Sequence, residues 1–204
     1  MAVVVEHEKR RADILEKALA VFAEEGYADV TYQKIADRCG ITRTTLYHYF
    51  KDKREIFILT IRQFMDRVEK ELHEIMKRNF TSYAKQLKAV ILSIVGICSE
   101  HRKLLTVILT YLLQLRKTGA DPEERIRRRT LRWRHLFSRI LIDGQKNGEF
   151  PGVSIKDANN LFYSLLESAV FHIAVLNTID SKGIAGAVEL AVDRLSGAGC
   201  PDLR

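Results

Sequence analysis

Apolar residues return every three or four positions along most of this chain, the spacing of helices that each turn one face inward. Ile14, Leu15, Ala18, Leu19 and Phe22 form the first stripe and predict a helix over about 7–25, ended by Gly26. A denser pattern occupies 31–50. There Ile35, Ala36 and Cys39 share one helical face, and Gly40 stands where a chain leaves a helix through a left-handed residue. Leu46 and Phe50 lie one turn apart on a second, short helix. Thr31 and Thr42 each precede one of these helices and can cap it through the hydroxyl, with Val30 placed to staple the first. A long helix then starts after Asp52 as N-cap and continues to about Asn79 along Ile56, Leu59, Phe64, Val68, Leu72 and Ile75.

Further helices are predicted over 82–99 and 103–115, the second apolar enough to be buried on most sides. Gly119, Asp121 and Pro122 mark a turn, and Pro122 suits the first position of a helix running to Lys146, which Asn147 and Gly148 end. The last two helices are predicted over 155–178 and 183–195. No Asn-Gly or Asp-Gly hairpin lies between alternating runs, since Asp143-Gly144 falls within helical spacing. The expected fold class is all-α, with a three-helix head ending in a helix-turn-helix, a larger C-terminal helical bundle, and about nine helices in total.

Composition supports this picture, with three Pro and eleven Gly in 204 residues and 47% hydrophobic against 29% charged positions. The start MAVVVEHEKRR lacks the apolar core of a secretory signal, and no apolar run approaches the roughly 18 residues needed to span a bilayer. A cytoplasmic protein with no membrane partner is expected. Cys39, Cys98 and Cys200 have no metal-ligand spacing and the six His are scattered, so the thiols read as structural, with a redox sensor left as the alternative, and no metal or cofactor is expected. The net charge of +7 is unevenly placed. Residues 1–55 hold ten Lys and Arg against ten Asp and Glu, whereas 116–139 hold nine against three.

The second short helix turns Arg43, Thr44, Thr45, Tyr47 and His48 away from its Leu46–Phe50 core side. That polar and aromatic face suits base edges and phosphate oxygens of duplex DNA. An enzyme fares poorly as an alternative. No Gly-rich phosphate loop, nucleophile elbow or paired metal motif occurs, so no catalytic residues are assigned.

With these residues in view the chain resembles the TetR family of transcriptional regulators. The resemblance covers about residues 10–60 and rests on Ala18, Phe22 and Gly26; Thr31, Ile35 and Ala36; Gly40, Ile41 and Thr42; Leu46, Tyr47, Tyr49 and Phe50; and Lys53. It implies that Thr42, Arg43, Thr44 and Thr45 face the major groove while Thr31, Tyr47, His48 and Lys53 hold phosphates. Many members have Gly where Thr44 stands, so close base contact is altered here. Beyond residue 60 the likeness rests on length, helix count and the stretch GQKNGEF from Gly144 to Phe150. It implies a DNA-binding domain over 1–55 and a ligand-binding and dimerisation domain over 56–204. The expected function is a dimeric DNA-binding repressor released by a small-molecule effector. Control by a protein partner, or no ligand at all, stays open as the alternative.

Two expectations concern the larger part. Apolar residues cover most of the circumference of the last two helices, so Leu161, Leu165, Ile173, Ile184, Val188 and Leu195 are expected to hold a homodimer, which would meet a palindromic operator; two ordinary core helices in a monomer are the alternative. On the helix before them, Ile126, Leu136, Phe137, Ile140 and Leu141 fall within about 80° of Trp133, and Arg129 lies inside that arc at about −40°. A guanidinium aimed into an apolar arc needs an anionic or polar partner. Arg129 and Trp133 are therefore candidate effector-binding residues, with snorkelling to solvent or pairing with a protein acid left as alternatives.

Overall fold

The computed structural model describes residues 2–117, 123–176 and 181–197, without the side chains of 2–4, 123–131 and 181. Among the described residues every regular element is helical: α1 (Ala2–Asp29), α2 (Tyr32–Cys39), α3 (Arg43–Tyr49), α4 (Lys53–Met76), α5 (Tyr83–Glu100), α6 (Arg102–Lys117), α7 (Glu123–Lys146), α8 (Ile155–Phe171), a π-helical turn (His172–Leu176) and α9 (Ser181–Leu195). The expected all-α class holds. The expected turn at Gly119 to Pro122 lies outside the described residues, as does Cys200.

Two compact units result, one of 1–70 with 103–111 and the other of 71–102 with 112–204. Helices α4 and α6 therefore each give residues to both.

In the first unit α1 starts at Ala2, earlier than expected, since no Gly or Pro stands between Ala2 and Glu6 to oppose a helix. Gly26 breaks it at φ 83° and ψ 161°, and one further turn follows through Asp29. Ile14, Ala18 and Phe22 of α1 meet Ile35, Ala36, Leu46, Ile56 and Phe57 in a buried core. The first half of α4 is tied to α1 by Thr60 Oγ1 donating to the Leu15 carbonyl at 3.5 Å, by Gln63 Nε2 donating to that of Ala12 at 3.3 Å, and by the Arg67–Glu16 pair at 3.0 Å. In α6 only Leu104 and Tyr111 are buried and Leu113 is largely exposed. The expectation of burial on most sides fails, because its apolar residues are interspersed with Lys103, Thr106 and Thr110, which face solvent.

The second unit has α5 packed against α7, α8 and α9. The GQKNGEF stretch joins them. Gly144 has no Cβ where the Phe150 ring sits, and one added there would lie 2.7 Å from its Cδ2 and Cε2. Glu149 then accepts from the Tyr83 and Ala84 amides at 2.9 Å each, satisfying two of the amides that α5 leaves without a helical partner. Gln145 Nε2 donates to the Phe150 and Val153 carbonyls at 3.2 and 2.7 Å. This web holds the non-glycine Phe150 at φ 54°, fully buried. No helix among the described residues is long and apolar enough to cross a membrane.

Candidate nucleic-acid interface

The reading head is assembled by three local devices. Thr31 Oγ1 accepts from the Lys34 amide at 3.2 Å and Thr42 Oγ1 from the Thr45 amide at 3.0 Å, so both threonines cap a helix. Gly40 turns the chain between α2 and α3 at φ 66° and ψ 35°, where its own amide and that of Ile41 bond back to α2. Leu46 and Phe50 anchor α3, being fully buried or nearly so.

On that anchor the helix presents Arg43, Thr44, Tyr47 and His48 to solvent, while Thr45 is half-buried with its hydroxyl 2.8 Å from that of Thr42. Arg43 Nη2 donates to the Tyr47 hydroxyl at 3.0 Å, one turn along the helix. The Tyr47 ring in turn lies parallel to that of Tyr32, with centroids 4.4 Å apart and planes at 15°. Tyr32 is buried and donates its hydroxyl to the Phe50 carbonyl at 2.7 Å. Burial pushes the Tyr32 hydroxyl up to about 12, with Tyr47 adding to the effect.

Lys53 is placed differently from the rest of the expected set. Its ammonium donates to the carbonyls of Tyr27, Ala28 and Val30 at 2.9, 3.2 and 2.9 Å and lies 4.7 Å from the Tyr27 ring centroid. Burial lowers its pKa from the ordinary lysine value, against the opposing effect of Asp29. An ammonium has three N–H groups, and here all three meet carbonyls. This placement differs from the phosphate contact that the resemblance implies for Lys53. The three carbonyls belong to the link between α1 and α2, so the side chain joins the first turn of α4 to the approach to Thr31. Beneath it Tyr27 packs with Phe57 and Tyr111, ring centroids 4.6 to 4.8 Å apart.

Other cations of the head are also committed within the chain. Arg38 donates to Glu24 at 3.3 and 2.6 Å, which holds that carboxyl below its usual range, and Lys34 donates to Glu25. Arg43, Lys51 and Arg54 remain exposed around α3 and the start of α4. The even charge count of residues 1–55 thus conceals a division between α2, neutralised by α1, and the exposed cations that follow.

The sequence model of the family described as "Bacterial regulatory proteins, tetR family" matches residues 14–59, which span this whole arrangement. The chain belongs to the TetR family. Among curated relatives of this TetR-family chain, the fatty acid metabolism regulator protein of Bacillus subtilis is 26% identical over 162 residues, covering 77% of this chain and 79% of that protein. The transcriptional repressor KstR2 of Mycobacterium tuberculosis is 29% identical over 142 residues, 69% of each chain. Among solved structures, the regulator FadR of Bacillus subtilis in complex with stearoyl-CoA shares the fold, with a TM-score of 0.68 at 22% identity over 91% of this chain and 98% of that one. The TetR-family chain is accordingly a DNA-binding transcriptional regulator.

Away from the head, Trp133 is half-buried on α7, whereas the Arg129 side chain lies outside the described residues. Next to Trp133 in the chain, Arg134 begins a polar seam between α7 and α8. Arg134 Nη1 donates to Asn160 Oδ1 at 2.8 Å, and its guanidinium carbon lies 4.7 Å from the Tyr163 ring centroid. Asn159 Nδ2 donates to the Arg134 carbonyl at 2.7 Å and to Ser138 Oγ at 2.5 Å. Arg134 Nε and Asn159 Oδ1 are buried without a hydrogen-bond partner among the described residues.

Of the six expected interface residues, Ile173 and Val188 are 2% and 0% exposed. They belong to the chain's own core and are corrected accordingly: a side chain already enclosed by its own helices has no surface left for a partner. Leu161 is exposed, and Leu165, Ile184 and Leu195 are half-buried. Phe171, Val175, Leu176 and Leu190 are exposed beside them in the chain, and helical spacing alone did not separate them from Val188 and Ile173.

Proposed function

We propose that this regulator is a homodimeric, sequence-specific repressor of a palindromic operator, released by a small-molecule effector. The observation that carries the DNA reading is α3, which turns Arg43, Thr44, Tyr47 and His48 to solvent over the buried Leu46. In this reading Thr42, Arg43, Thr44 and Thr45 face base edges, and Thr31, Tyr47 and His48 meet phosphates. Residues 1–55 act as the DNA-binding domain and 56–204 carry effector and dimer functions. Exposed Leu161, Phe171, Val175, Leu176 and Leu190 support pairing of α8 and α9 with a second copy, because large apolar side chains gain most by leaving water. The dimer presents two α3 helices about 34 to 36 Å apart, or a multiple of that, on DNA.

The solved relative carries stearoyl-CoA and a curated one is named for fatty acid metabolism. Long-chain acyl-CoA is therefore the effector class to test first, with Arg129 and Trp133 as contact residues and the Arg134–Asn159 seam nearby. An effector acts by binding the arrangement that does not fit DNA more tightly than the one that does.

Selection of duplexes from a random library, followed by binding to the recovered and a scrambled duplex, tests the reading. A palindrome bound by two chains is expected. Equal affinity for both duplexes refutes it. Stearoyl-CoA is expected to release the recovered duplex and to do so less well in Arg129→Ala.

A further inference from the structure

Tyr32 stands at the first position of α2, outside the face offered to DNA, yet its buried ring is in contact with Tyr47 of that face. Its hydroxyl is fixed by the Phe50 carbonyl at 2.7 Å, and its ring lies flat against Tyr47 at 4.4 Å. Tyr47 is otherwise half exposed and has no comparable stacking partner on its helix. Its hydroxyl receives Arg43 Nη2 at 3.0 Å, and the Arg43 guanidinium carbon lies 5.6 Å from its ring centroid. Three side chains thus form a series in which only the first is anchored in the core. An exposed arginine otherwise samples many rotamers, and settling it before contact removes an ordering cost from binding.

We propose that Tyr32 is a specificity-positioning residue, which sets where Arg43 meets a base edge by holding the Tyr47 ring. The proposal rests on the reading of Arg43 as a base-contacting residue. Ring and hydroxyl have separable duties: the ring faces Tyr47, and the hydroxyl serves the Phe50 carbonyl. Discrimination between DNA sequences therefore follows the ring, and stability follows the hydroxyl.

The experiment measures affinities of the full chain for the duplex recovered by selection and for a scrambled duplex, at one salt concentration and well below the melting temperature. Tyr32→Leu keeps an apolar side chain and removes the stack. Its ratio of the two affinities is expected to fall roughly 5- to 30-fold, the range of a weakened base contact, with scrambled-duplex affinity nearly unchanged. Tyr32→Phe keeps the wild-type ratio while melting earlier. In an Arg43→Ala background, Tyr32→Leu is expected to have no further effect on the ratio, because it acts through Arg43. A merely structural role lowers both affinities together and adds fully to Arg43→Ala, and either result overturns the proposal. Should Tyr32→Leu fail to fold, Tyr47→Leu removes the same stack at an exposed position, and a wild-type ratio there overturns it equally. Wild-type protein that does not discriminate, or Arg43→Ala that keeps the wild-type ratio, strikes the underlying reading first and this proposal with it.

Discussion

Replacing Lys53 by Met keeps the aliphatic stem and removes the ammonium from its three carbonyls. Hydrogen bonds to a charged group contribute about 1.5–3 kcal/mol each when isolated. Here three share one partly exposed donor, and carbonyls freed in the variant can turn to water, so the set counts as about one such bond. Contact with the Tyr27 ring adds about 0.5–1 kcal/mol. A loss of roughly 2–4 kcal/mol follows, or roughly 4–16 °C of melting temperature for a chain of this size. Binding to DNA supplies the discriminating measurement. A lysine on a phosphate contributes about 0.9 to the slope of log affinity against log salt. An ammonium spent on the Tyr27, Ala28 and Val30 carbonyls contributes little. Lys53→Met is thus expected to melt early and bind more weakly at every salt concentration, with the wild-type slope. An unchanged melting temperature together with a slope shallower by about 0.9 would show that the ammonium sits on a phosphate, and the reasoning from its cup of carbonyls would be refuted.

Gly144→Ala forces a Cβ to 2.7 Å from the Phe150 ring and 3.0 Å from Tyr83 Cβ, so calorimetry is expected to register a loss of about 1–3 kcal/mol. Leu190→Glu is expected to yield a folded monomer by sedimentation, because Leu190 is 62% exposed, whereas Val188→Glu buries a carboxylate and unfolds the chain at a cost of about 4 kcal/mol or more. Burial pushes the Cys98 thiol up to about 11 and raises that of Cys39, so in Cys200→Ser both are expected to react at pH 8 with a disulfide reagent far more slowly than in denaturant. Tyr32 has its pKa raised to about 12 from 10.0, so the stability from its neutral hydroxyl is present below pH 10 and lost as pH rises towards 12. The stability difference between wild type and Tyr32→Phe, measured by denaturant titration, is expected to close over that interval.

The head was legible because its signals are local. Thr31, Gly40 and Thr42 each act on residues three or four positions away, and the spacing of Ile35, Ala36 and Leu46 needs no knowledge of the rest of the chain. The contacts of Tyr32 and Lys53 were not legible, because their partners are 15 to 26 residues distant and include backbone carbonyls, which leave no mark on a sequence. The GQKNGEF stretch could be noticed but not explained until Glu149 was seen on amides 65 and 66 residues earlier. On α8 and α9 an apolar pattern on most sides announced two contacts at once. It did not say which of Val188 and Leu190 served the chain and which faced outward.

The placement of 103–111 with the head, through Tyr111 against Tyr27 and Phe57, bears on how freely such heads can be exchanged. A chimera cut at residue 55 or 70 carries every side chain of the reading surface. It leaves behind the ring that closes over Tyr27, the same residue whose carbonyl and ring hold Lys53. The transplantable cassette is therefore discontinuous: a graft needs the amino-terminal helices and a matching aromatic from a helix encoded some thirty residues further on, and recombination at a single crossover point delivers only half of it.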